Sequence, residues 1–312
     1  MNNFIIAANT VFLSILLQAF PFMLLGILIS SILHVFISAN FIIKAFPNKY
    51  GLGFLTAIFG GLVLPVCECA TVPIITGLIK KGVAMPIAIT FMLAAPILNP
   101  ISVMATLYAF PENPLIALYR VLFGIVTASS IGLLLLVYPK TGYLKENIED
   151  DSHNCSSCSH CTESSMKGHN FGKTSFIKNI NEMFLHSGTE FFNVGPYLIL
   201  GAIITALIRA GIPSNFFGGF KESHSLPAML IMMLFAFIFS ACSTSDAFIA
   251  RSFYGNFSVF SIMGFLVYGP MMDIKNIFML LSVLKKRFVI ELVIIITVMN
   301  IIFISAMGSI FF

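Results

Sequence analysis

The chain is apolar almost throughout, in runs that exceed 18 residues, and one long polar stretch at about 139–175 divides it. Runs of that length cross a bilayer core of about 30 Å, so the pattern predicts membrane helices. The first run, about 4–37, is too long for a cleavable signal peptide and has no basic leader, so it reads as a retained first span. It predicts a long helix at about 8–38. After it come an interrupted apolar segment (about 51–80), a helix with a central proline (about 83–110) and a last helix (about 115–138). Beyond the polar stretch the same order recurs at about 184–210, 226–254, 258–284 and 288–311. The organisation is a first membrane repeat at 1–138, a linker at 139–175 and a second membrane repeat at 176–312.

Individual residues carry the repeat. "FPFMLLG" (20–26) matches "GPYLILG" (195–201), and Pro21/Pro196, Gly26/Gly201 and Cys67/Cys242 share an offset of 175. Pro96/Pro270 and Asn99/Asp273 share an offset of 174, so a one-residue gap reconciles all of these pairs.

The interrupted segments, 29–30 residues each, set the topology. As one helix each would run about 45 Å; folded back, each gives two arms of about 20 Å that meet near the membrane centre. Charge chooses between these readings. With both segments re-entrant, twelve of the 17 Lys and Arg fall on one side, against Arg120, Arg209, Lys221 and Arg251 on the other, with Lys275 unassigned. With both crossing fully, the basic residues divide almost evenly. The positive-inside bias therefore favours six crossings, two re-entrant hairpins, outer termini and a cytoplasmic linker. Each half then crosses three times, and the second enters upside down, an inverted-repeat plan. The expected fold is an all-α polytopic membrane protein of two inverted repeats, each with three spanning helices and one broken hairpin. The alternative is eight simple spans in a parallel repeat.

Composition agrees. The chain is 58% hydrophobic and 10% charged, against about a quarter charged in soluble domains. The net charge of +4, with no basic cluster interleaved with stacking aromatics, excludes nucleic acid as the expected partner. Trp is absent, so any interfacial belt relies on the 8 Tyr and 33 Phe. The six cysteines fall into a membrane group and a linker group, which is not a secreted disulfide framework. No phosphate-binding loop appears, so ATP is not an expected ligand.

The candidate chemistry lies at the two interruptions. In "VCECATVP" (66–73), Cys67, Glu68 and Cys69 stand between Pro65 and Pro73. On a continuous helix Cys67 and Cys69 would point about 200° apart, and the prolines predict a break that lets them serve one site. Broken backbone at membrane depth is tolerated where it lines a cavity or is buried in protein. Glu68 there is a functional candidate by its cost alone. The second interruption offers Cys242, Ser243, Thr244 and Asp246, with Ser243-x-x-Asp246 fitting a capping box that would open the following helix. Asp246 would otherwise only cap its helix, and Arg251 would pair with it or sit at the outer interface. Asn99 and Asp273 would satisfy carbonyls freed by Pro96 and Pro270 or join the site, and Pro100 adds a kink that favours an unwound site at Asn99. His153, Cys155, Cys158, His160 and Cys161 in the linker suit a soft or borderline cation such as zinc. They would otherwise form a Cys/His-rich tract that picks up metal adventitiously.

"LPVCECATVPIITGLIKKG", "MPIAITFMLAAPILNPI" and "ACSTSDAFIARSF" together resemble the paired signatures of the ArsP-like predicted permeases, a resemblance that spans nearly all the hydrophobic chain. It implies a bacterial inner-membrane permease, in some members an exporter of trivalent organoarsenicals and in others one subunit of a two-component permease with a smaller membrane partner. By it, Cys67, Cys69, Pro73, Asn99, Pro100, Cys242, Ser243, Asp246 and Asp273 are the marked positions.

Residues and resemblance agree on a permease rather than an enzyme. The expectation is efflux of a thiophilic substrate, a trivalent arsenical or a soft metal ion. Cys67, Cys69 and Cys242 would bind it, with Glu68, Asp246 and Asp273 holding displaced protons. No cofactor is required beyond possible zinc on the linker. The alternatives are a zinc permease with the linker as collector, a subunit of a two-component permease, and a membrane thiol oxidoreductase.

Overall fold

The structure, a computed structural model, describes residues 2–36, 42, 44–47, 51–64, 66–137, 173–211, 226–240, 242–255 and 257–311. Among these the elements are twelve α-helices and no strand. In the first half they are α1 (Asn2–Phe36), α2 (Leu52–Val63), α3 (Glu68–Lys80), α4 (Met85–Leu98), α5 (Pro100–Ala109) and α6 (Leu115–Val137). In the second they are α7 (Lys173–Gly211), α8 (Leu226–Phe239), α9 (Ser245–Phe253), α10 (Val259–Met271), α11 (Ile274–Val283) and α12 (Lys286–Phe311). The linker, including His153, Cys155, Cys158, His160 and Cys161, lies almost wholly outside the described residues, as does Pro65.

Among the described residues, six helical stretches are long and apolar enough to cross a membrane: Phe4–Ile32, Met85–Ala109, Leu115–Val137, Met183–Gly211, Val259–Val283 and Lys286–Ala306. This is an all-α, multi-pass membrane protein. The interrupted segments break where expected, between α2 and α3 and between α8 and α9. Their arms of 12, 13, 14 and 9 residues span about 14–21 Å at 1.5 Å per residue, short of the bilayer core. Leu17, Leu55, Phe59, Phe192, Ile290 and Ile294 are among the large apolar side chains that stay more than half exposed, as a lipid-facing surface requires.

The proline-containing helices also break. α4 ends and α5 begins at Asn99, with Pro100 at the first helical position, where its missing N–H costs nothing. α10 and α11 part at Met272 and Asp273. Asn99 Oδ1 accepts from Ile101 N at 2.9 Å, and Asp273 Oδ1 accepts from Asn276 N at 2.6 Å. Both equivalent residues therefore cap the restarted helix, and the Asn99 amide N–H donates to Val66 O.

The interior follows the repeat in part. α2 packs on α4 as α8 packs on α10, and α3 meets α11 as α9 meets α5. α2 turns a small-residue stripe, Gly53, Ala57 and Gly61, toward α4, the close-packing device of membrane helices. The long helices depart from the pattern: α1 lies along α3, whereas α7 lies along α11. The equivalent glycines Gly26 and Gly201 permit these contacts. A Cβ at Gly26 would stand 2.7 Å from Ala70 Cα, and one at Gly201 would stand 2.8 Å from Lys275 Cα.

Candidate functional site

Cys67 is the extended N-cap of α3 (φ −92°, ψ 172°), and Leu64 before Pro65 is also extended (φ −87°, ψ 112°), as a pre-proline residue should be. The break thus lies ahead of the thiols. Pro73 does not contribute to it: α3 begins at Glu68 and runs through Pro73 to Lys80. A proline in this position removes only one backbone bond, and close burial of α3 on α1 and α4 holds the helix across the gap. Asn99 Nδ2 donates to Val66 O at 3.4 Å and anchors the broken strand of chain from the next helix pair.

The second break is built differently. Ser240 adopts a left-handed φ of 47°, a conformation that costs a non-glycine residue on the order of 1–2 kcal/mol. Lys275 stabilises it: its Nζ donates to Ser240 O at 2.9 Å, and its backbone N–H donates to Ser240 Oγ at 3.4 Å. On the other side of the turn, Ser243 O accepts from Arg120 Nη2 at 2.9 Å and from Ser102 Oγ at 3.1 Å. The expected capping box does not form. Thr244 is the N-cap of α9, makes no side-chain cap bond and is helical in backbone (φ −78°, ψ −44°). Ser243 Oγ and Asp246 Oδ2 are buried without a hydrogen-bond partner among the described residues. Turn 243–244 is already wound, which leaves the Ser243 hydroxyl out of line with the N–H groups it would cap. Arg251 does not pair with Asp246; it reaches Glu112 at 3.2 Å, with both side chains substantially exposed.

The two breaks meet. The thiols of Cys67 and Cys242 and the carboxylate of Glu68 bring one ligand atom each within 4.8 Å of one another. Cys69 stands beside Cys67 on the same cavity wall. These three cysteines, with Glu68, Ser240, Lys275, Ile15 and Ala19, line an internal cavity with room for about one water molecule. Cys69 is on its wall but outside the closest set. Asp273 joins through Lys275, whose Nζ lies 2.8 Å from Asp273 Oδ2 and 3.1 Å from Glu68 Oε1. Asp246 is buried in the first turn of α9, within electrostatic reach of Arg120 and Glu68. Asn99 stands one step back, bonded to Val66, whereas Pro100 is exposed.

Two basic residues were missed by the sequence reading. Arg120, counted there among the outer charges, is fully buried and also donates to Thr106 Oγ1 at 2.6 Å. Lys275, left unassigned, ties the halves together. The signal was present, since an ionisable residue inside an apolar run is functional by default. Among the described residues, the charged groups that are fully buried are Glu68, Arg120, Asp246, Asp273 and Lys275, and all lie around the two breaks.

Six candidate spans around a polar, thiol-bearing centre made of broken helices define the class: a multi-pass membrane protein of the transporter type. Comparison with known proteins gives the family. The family model described as a predicted permease (ArsP_1) matches residues 5–308, and the chain belongs to that family. It is 35% identical to the UPF0718 protein YcgR of Bacillus subtilis over 91% of both chains. It is also 35% identical to the putative two-component membrane permease complex subunit of Streptococcus mutans, over 91% of this chain and 89% of the relative. A UPF0718 protein of Methanocaldococcus jannaschii is 26% identical over 45% of this chain and 39% of its own length. No solved structure matches.

Proposed function

We propose that this permease exports a thiophilic substrate, a trivalent arsenical such as a methylated As(III) species or a soft metal ion, from a site shared by two inverted halves. The observation that carries the proposal is the convergence, within 4.8 Å, of Cys67 and Glu68 from the first break with Cys242 from the second, 175 residues on from Cys67. Two sulfurs suffice for a methylated As(III) centre. The added carboxylate also suits a divalent soft cation, which is the second reading. Arms too short to cross support the re-entrant topology over eight simple spans. The packing of α3 on α11 and of α9 on α5 supports the repeat.

Three buried carboxylates face two buried cations, so the cluster carries one net negative charge when all five are ionised. One proton neutralises it, and proton-coupled exchange follows as the mode of transport. The chain would sit in the cell membrane with its linker cytoplasmic. No cofactor is required for the exchange; zinc on His153, Cys155, Cys158, His160 and Cys161 would serve collection. A smaller companion subunit is proposed by analogy with the Streptococcus mutans relative.

The test is uptake into everted membrane vesicles of methylarsenite, arsenite and zinc side by side. Cys67→Ala and Cys242→Ala are expected to abolish uptake, and Cys69→Ala to reduce it. Uptake of all three unchanged in Cys67→Ala would remove the proposal. Deleting 153–161 is expected to spare arsenical uptake and to lower zinc uptake. A thiol-relay enzyme would instead lose activity whenever Cys67 and Cys242 cannot form a disulfide.

A further inference from the structure

The Lys275 ammonium is paired with Glu68, the carboxylate that stands beside the two thiols. It holds Glu68 Oε1 at 3.1 Å, while Glu68 Oε2 is buried without a hydrogen-bond partner among the described residues. The same carboxylate belongs to the close set with the Cys67 and Cys242 thiols. Lys275 is itself held in place by Asp273 Oδ2 at 2.8 Å and Ser240 O at 2.9 Å, and α7 packs against its backbone at Gly201. It is therefore a tethered cation built into the wall of the cavity.

We propose that Lys275 is the selectivity element of the site: it biases the thiol pair toward uncharged thiophiles and against divalent cations. The inference rests on the thiol site proposed above. An organoarsenical dihydroxide enters neutral. Cys67 and Cys242 form two As–S bonds, two As–O bonds break, and the thiol protons leave with the hydroxides as two waters. Arsenic stays trivalent and no free proton is produced. A divalent cation forms two metal–sulfur bonds and must expel two thiol protons. The nearest acceptor and third ligand, Glu68, already shares one oxygen with Lys275, and a cation arriving at the other is repelled by the ammonium at close range in a medium of low dielectric. Lys275 thus leaves arsenical capture untouched and opposes metal capture at both steps.

The experiment uses the full-length chain in detergent with Cys155, Cys158 and Cys161 changed to Ser, so that only membrane thiols report. Cadmium binding is read from the sulfur-to-metal ultraviolet band, and phenylarsine oxide binding from protection of the thiols against a maleimide. The variant is Asp273→Asn/Lys275→Met, which removes one charge of each sign and keeps a capping side chain of the kind Asn99 already supplies. It is expected to shift the ratio of cadmium to phenylarsine oxide affinity at least about tenfold toward cadmium relative to the parent. Lys275→Arg, which keeps the charge, should bind cadmium as the parent does. Adding Glu68→Gln to the double variant should erase the shift. An unchanged ratio in the double variant, or a shift that survives Glu68→Gln, overturns the role of Lys275 while leaving the thiol site standing. A parent chain that binds neither probe through its thiols overturns the site and this inference together.

Discussion

Arg120 shows how one side chain holds a broken helix together. Its guanidinium spans Thr106 Oγ1 and Ser243 O and lies within electrostatic reach of Asp246. Leucine at this position would leave the Thr106 hydroxyl and the Ser243 turn carbonyl each with one donor fewer. Leaving a buried acceptor without its donor costs about 1–3 kcal/mol, so Arg120→Leu should lower the thermal midpoint in detergent. Arg120→Lys should recover only part of the loss, because an ammonium does not reproduce the planar fork. Equal midpoints for the leucine variant and the native chain would contradict the assigned role. The contrast is with Arg251 and Glu112, an exposed pair worth at most about 1 kcal/mol; Arg251→Gln is expected to leave the midpoint within experimental scatter.

At the scale of the element, closeness of helices is set by glycine. Gly26 brings α1 onto α3 beside Ala70, the residue after Cys69, and Gly201 brings α7 onto α11 at Lys275. In both places the added methyl would meet backbone, which cannot swing aside. Gly26→Ala and Gly201→Ala should each destabilise by about 1–3 kcal/mol as overpacking does, and should open the cavity that Ile15 and Ala19 of α1 close. Faster maleimide labelling of Cys67 and Cys242 in these variants is the measurement. Gly188, on α7 with nothing within 4 Å of its added Cβ, is the control: Gly188→Ala should stabilise by up to about 1 kcal/mol through helix propensity.

For the whole molecule, the question is how the halves sit in the bilayer. Three crossings per half put the linker on the face opposite both termini; four crossings per half put all three on one face. Reporter fusions at residue 1, within 139–175 and after residue 312 decide between them. The expected pattern is a cytoplasmic linker with both termini outside, and a linker on the same side as the termini would refute the inverted plan. The halves also touch outside the site, through Arg251–Glu112 and Asn113 Nδ2–Tyr254 Oη at 2.8 Å. Alternating access that rocks one half against the other would have to break or carry these contacts.

Sequence by itself determined the elements: the runs, the proline-bearing breaks and the offset of Cys67 from Cys242 are all local or periodic, and hydropathy reports them directly. It placed Cys67, Glu68 and Cys242 on interruptions because broken backbone in an apolar run is visible in one dimension. Tertiary structure alone decided the partners. Arg120 bonds a carbonyl 123 residues away, and Lys275 pairs with Glu68 across 207. Separations of that size leave no periodic trace, and counting charges by side of the membrane treats a buried arginine as a surface one. Pro73 within α3 and the unformed capping box at Ser243 have the same cause: local preferences of about 3 kcal/mol for an interior proline and about 1 kcal/mol for a cap yield to the packing of whole helices, which only the folded arrangement supplies.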